Sequence, residues 1–136
     1  MIGTTGAIAI VPVSNLERGI AFYTEKLGLE LEQQNESLPQ NREARFRVGP
    51  TKFGIYESVG AGQSRHTLAS FEVEDIEATA ADLRARGLTF EEFDMPGLKT
   101  ENGIADIGHE KAAWFKDADG NILAIAQLAQ VPAAVS

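Results

Sequence analysis

Residues 112–127 read AAWFKDADGNILAIAQ, and the fold is decided by how this stretch is read. Trp114 and Phe115 are residue types favoured in strands, and Ile122, Leu123 and Ile125 form an apolar run beyond a polar middle. Asp117, Asp119, Gly120 and Asn121 supply a tight turn. Asp and Asn side chains bond back to nearby backbone, and glycine accepts positive φ without a Cβ clash. The pattern predicts strand, turn, strand. A calcium loop would share the acidic turn, but the later ligands and bidentate glutamate of an EF-hand are missing.

Working outward from this hairpin, the chain alternates strand and helix signals. Residues 7–13 are apolar and β-branched, a buried strand. Asn15 caps a helix whose stripe is Leu16, Ile20, Tyr23 and Leu27, and Gly28 stops it. Phe22 and Tyr23 within it read as core. Short strands follow at 29–34, 44–48 and 52–58, with a polar loop at 35–41 around Pro39 and a glycine-bearing linker at 59–64. Residues 66–73 form the next strand. Asp75 caps a second helix carrying Ile76, Ala80 and Leu83, and Gly87 ends it. A strand is expected at 88–93, then a long polar loop at 94–110, then the hairpin, with a frayed tail from Val131.

That order contains a repeat. Val13-Ser14-Asn15-Leu16-Glu17 corresponds to Val73-Glu74-Asp75-Ile76-Glu77 at an offset of sixty. Leu27-Gly28-Leu29 is echoed by Arg86-Gly87-Leu88 at fifty-nine, and Phe46 by Trp114 at sixty-eight. Three matches in register predict a duplicated βαβββ unit. One helix covers only one face of a four-stranded sheet, so two such units can pair to enclose a cavity. The alternative is an ordinary α+β sandwich with two similar helices. The expectation is a single 1–136 domain of α+β class, with modules at about 7–58 and 66–128. Its eight strands would form a U-shaped sheet or incomplete barrel around a cavity.

Composition narrows the partners. Net charge is −8, which repels polyanions, so neither nucleic acid nor an anionic membrane is expected as a partner. The absence of cysteine excludes disulfides, thiolate metal sites and cysteine nucleophiles, and fits a cytoplasmic location. The opening MIGTTGAIAIVPV has no basic segment and reads as a strand rather than a signal peptide. No apolar run approaches a membrane span.

The stretches VPVSNLERGIAFYTEKLGLEL, FEVEDIEATAADLRARG and WFKDADGNILAIAQ together resemble the vicinal oxygen chelate superfamily, which includes glyoxalase I, bleomycin-resistance proteins and extradiol dioxygenases. The carrying residues are Val13, Asn15, Leu16, Phe22, Tyr23, Leu27 and Gly28, and the closing turn, in which Ala118 replaces the usual proline. The resemblance spans about 7–127. It implies the paired-module fold and a homodimer.

In metalloenzymes of that superfamily, four strand positions ligate a divalent ion. The resemblance carries these onto Ile8, Tyr56, Leu68 and Ala124. Ile, Leu and Ala offer no lone pair, and a neutral phenol is a weak donor, so no metal and no cofactor are expected. These four residues, with His66 and Trp114, are the candidate lining for an organic small-molecule ligand. His66 shares a strand face with Leu68, ~6–7 Å away by the strand rise; it reads as a solvated strand end or a polar group at the cavity rim. His109-Glu110 reads as a solvated loop pair or a lid. Arg45 and Arg47 share a face and read as solvated or as binders of an anionic ligand. Three functions stay open. They are a metal-free binding protein, a metal-dependent lyase or dioxygenase with a displaced site, and a metal-free enzyme using His66 or Tyr56 for proton transfer.

Overall fold

The computed structural model describes residues 2, 3 and 5–129; the tail expected from Val131 lies outside them. Two compact units are present. Unit one ends at Ala69 and takes in Asp117–Ile122. Unit two comprises Ser70–Lys116 and the chain from Leu123 onward. The turn of the closing hairpin thus belongs with unit one, a departure from strictly sequential modules.

In unit one, β1 (Ala9–Val13) leads into α1 (Leu16–Ala21), then β2 (Glu30–Asn35), β3 (Glu43–Val48) and β4 (Thr51–Glu57). The sheet order is β1-β4-β3-β2, with β1 parallel to β4 and the other pairs antiparallel. One face carries Val11, Val13, Ala44, Phe46, Phe53 and Ile55, all buried along with Leu16 and Tyr23 of the helical segment. Tyr23 stacks at a tilt on Phe53 and Phe46, with ring centroids 5.1 and 5.8 Å apart. Aromatic pairs at these separations add stabilisation beyond their buried area.

The first helix is not the uniform one that its apolar stripe predicts. After Ala21 it widens into a π-helical turn over Phe22–Lys26, closed by the Leu27 N–H donating to the Phe22 carbonyl. The Thr24 hydroxyl donates to the Ile20 carbonyl at 2.8 Å, the local back-bonding that competes with the helical ladder. Leu16 and Tyr23 are fully buried as expected, while Ile20 and Leu27 are only half-buried. An added residue in the turn rotates the stripe out of phase.

Both helices begin as the sequence predicts. Asn15 accepts from the Arg18 N–H and Asp75 from the Ala78 N–H. A second cap on each comes from a strand end. Glu57 Oε2 accepts the Leu16 N–H and Gln127 Oε1 accepts the Ile76 N–H, both at 2.8 Å. This repeats the same device in the two units and satisfies another orphan donor of each helix.

Unit two contains β5 (Thr67–Glu72, whose first residues are counted with unit one), α2 (Ile76–Ala85), β6 (Asp94–Met95), β7 (Leu98–Glu101), β8 (Ile104–Asp106), β9 (Glu110–Lys116) and β10 (Ile122–Leu128). Its sheet is open, in the order β5-β10-β9-β8-β7-β6. The α+β class stands, but two details of the eight-strand expectation do not. Residues 88–93 form no strand; Phe90 makes a single bridge to Phe115. The expected loop at 94–110 instead folds into the short meander β6-β7-β8. Polarity hid these strands, yet Thr100 and Ala105 are buried, and Asn102-Gly103, with φ of 53° and 77°, forms the paired positive-φ turn that hairpins favour. No helix among the described residues is long and apolar enough to cross a membrane.

Candidate functional site

The helix-free face of the unit-one sheet carries the polar and apolar groups with functional potential. Strand alternation places Ile10, Gly54, Tyr56, Glu43, Arg45 and Arg47 on it, opposite the buried set. The register runs Ile10–Gly54–Arg45–Gln33 across β1, β4, β3 and β2, and the next row is Pro12–Tyr56–Glu43–Asn35. Ile10 is 43% and Tyr56 39% exposed, so an aliphatic and an aromatic side chain are both accessible on this face.

Arg45 lies across Gly54. A Cβ built on Gly54 would fall 3.2 Å from both Cδ and Nε of Arg45 and 3.5 Å from Cγ1 of Ile10. Glycine here makes room for an arginine stem, and glycine within a strand is the sequence signal that would have revealed this close approach. Nη2 of Arg45 donates to Glu43 at 3.2 Å, while the buried Nε has no hydrogen-bond partner. Arg47, two residues along the same strand, places both Nε and Nη2 on Glu32 at 2.8 and 2.6 Å. The Asn35 amide, and after it Arg45, hold the Glu43 carboxyl below its usual range, so Glu43 stays ionised.

The other sequence-derived candidates are placed as follows. Ile8 is half-buried and immediately precedes β1. Tyr56 pairs with Pro12, four residues beyond Ile8, which separates the two by ~13 Å along the strand at 3.3 Å per residue. Gly54, rather than Tyr56, is the β4 residue two positions from Ile8 in this register. His66 is exposed before β5, its backbone tied to Ser64. Leu68 is half-buried. Trp114 is half-buried with its ring edge-on to Phe93 at 5.6 Å, while Phe115 is buried against Phe90 on the opposite face of the strand. Ala124 is buried. His109 is solvated, with Nε2 3.8 Å from Glu110.

Among the described residues, no three His, Asp or Glu side chains are grouped so as to hold a metal ion. Ile8, Leu68 and Ala124 offer no donor atom, so this set of residues does not fit the divalent ion of the superfamily's metalloenzymes.

Comparison with known proteins places the chain by family and fold. The family profile described as Glyoxalase/Bleomycin resistance protein/Dioxygenase superfamily matches residues 5–125. No curated protein matches the chain. Among solved structures, a glyoxalase family protein from Enterococcus faecalis shares 24% identity at a TM-score of 0.69, over 93% of this chain and 99% of that one. TnmS3, an antibiotic binding protein from Streptomyces sp. CB03234, shares 21% identity at a TM-score of 0.67, covering 95% and 99%. The fosfomycin resistance protein FosX from Listeria monocytogenes shares 14% identity at a TM-score of 0.65, covering 95% and 96%. At these identities the likeness is one of fold.

Proposed function

The chain belongs to the glyoxalase/bleomycin resistance protein/dioxygenase superfamily, and we propose that within it this protein binds an organic small molecule without a metal. The observation that carries the reading is the helix-free face of the unit-one sheet, where Tyr56 and Ile10 stand exposed beside a partly buried arginine. A phenol ring and an aliphatic side chain offer a platform for a flat or apolar molecule, and nearby polar groups orient it. The chemistry of the four superfamily ligand positions supports the same reading. Ile8, Leu68 and Ala124 cannot ligate, and a cation among apolar walls is desolvated without compensation. TnmS3, an antibiotic binding protein of the same fold, is a precedent only.

The test has two arms. Elemental analysis of protein purified without chelator is expected to find no stoichiometric divalent ion; one tightly held ion per chain overturns the metal-free reading. Thermal-shift titration with a panel of flat aromatic compounds is expected to raise the melting midpoint by mass action, and Tyr56→Ala to weaken that response by about tenfold while leaving the unliganded midpoint in place. An unchanged response in Tyr56→Ala removes the face from the binding site.

A further inference from the structure

We propose that Arg45 anchors the anionic end of this ligand, so that the small molecule is an organic acid, a carboxylate or phosphonate with an apolar or aromatic body. The inference rests on the binding reading above and adds the class of ligand.

Three observations converge on it. First, Arg45 is not a solvated surface arginine: its side chain is 27% exposed and its stem occupies the space that Gly54 leaves by having no Cβ. Second, its donors are incompletely used. Arg47 on the same face commits Nε and Nη2 to one carboxylate, whereas Arg45 spends Nη2 on Glu43 and leaves its buried Nε–H without a protein partner. A buried guanidinium donor without a protein partner is costly, and a rotation that offers it to an incoming oxyanion recovers that cost. Third, the groups beside it suit the rest of such a ligand. Ile10 and Gly54 share its register row, and Tyr56 lies in the next row. A planar guanidinium fork matches two oxygens of a carboxylate or phosphonate better than any other side chain does. The face is locally balanced, because Glu32 occupies Arg47 and Glu43 only partly occupies Arg45. A small anion is therefore admitted despite a net charge of −8, which turns away large polyanions.

The probes are phenylphosphonate, benzoate and the neutral isostere benzamide, titrated into the full chain by calorimetry at low and high salt. Both anions are expected to bind, more weakly at high salt. Arg45→Met keeps the apolar stem and removes every donor. It is expected to cut anion affinity by about tenfold or more, with benzamide binding unchanged and cooperative unfolding retained. Arg84→Gln, an exposed arginine of unit two, is the control and should bind all three probes like the parent. Equal anion affinity in the parent and Arg45→Met overturns the proposal. So does failure of both anions to bind the parent at about 1 mM. Benzamide binding in either case leaves the small-molecule reading standing and sinks only the anionic anchor. Absence of binding by all three, with no response in the aromatic panel, sinks both.

Discussion

The Tyr23 hydroxyl donates to Oδ2 of Asp117 at 2.6 Å, joining two buried groups that lie 94 residues apart in the chain. Asp117 is the first residue of the DADGN turn. Its Oδ1 accepts the Asp119 and Asn121 N–H groups, both at 2.9 Å, and its Oδ2 also accepts Nδ2 of Asn121 at 2.8 Å. Asn121, fully buried, passes the connection on, donating to the Pro12 carbonyl at 2.7 Å and accepting the Gly62 N–H at 3.0 Å. The helix, β1, the linker and the closing turn of unit one therefore meet in one satisfied polar network, a structural role for the motif residues.

Loss of the Tyr23 hydroxyl should show a distinctive pH signature. Burial, and then the charge of Asp117, push the Tyr23 phenol far above its ordinary value. A raised folded-state pKa means that the stabilisation is fully present below the unfolded value of ~10 and is lost as pH rises beyond it. Denaturant unfolding at pH 7 should find Tyr23→Phe less stable by about 1.5–3 kcal/mol, the range for a hydrogen bond to a charged group. Above pH ~10 the parent should lose stability more steeply than the variant, narrowing the gap. Parallel pH curves would refute the assignment.

Gly62 has φ +75°, and a Cβ there would fall only 2.0 Å from the Asp119 carbonyl oxygen. Neither the backbone nor the turn can yield cheaply. Gly62→Ala should destabilise by about 4 kcal/mol or more, placing it among the rare severe substitutions. Gly60→Ala is the matched control in the same linker, with only Ser58 Oγ nearby at 3.7 Å. Its midpoint should stay within about 0.5 kcal/mol of the parent. Similar midpoints for the two variants would contradict the packing described for Gly62.

We propose that the chain self-associates as a twofold pair, the commonest symmetric assembly of soluble oligomers. Sedimentation at micromolar concentration should give twice the chain mass of 14.6 kDa. A species at 14.6 kDa throughout that range would make the protein a monomer.

Much of the fold was legible in local sequence because its signals are local. Asn15 and Asp75 cap their helices, Leu16, Ile76, Ala80 and Leu83 mark the buried stripes, and the DADGN turn forms through bonds among its own residues. The strands at 98–101 and 104–106 were not legible. Their apolar positions are too few for a period to stand out, and burial of Thr100 and Ala105 comes from sheet neighbours that no local window contains.

By itself the sequence determined the α+β class and the repeated strand–helix pattern, since hydrophobic period, caps and turn chemistry act over a few residues and survive without knowledge of distant partners; the superfamily was legible through the resemblance of three motif stretches. Only the tertiary structure decided which residues share the candidate site. Strand register set Tyr56 beside Pro12, away from Ile8, and Arg45 beside Gly54. Register is chosen by cross-strand packing over many residues, and a shift of two positions leaves the local alternation unchanged while replacing every neighbour. The unpaired Nε of Arg45 is a product of that choice: the same arginine one row along would have met a different strand residue, with a Cβ in its way.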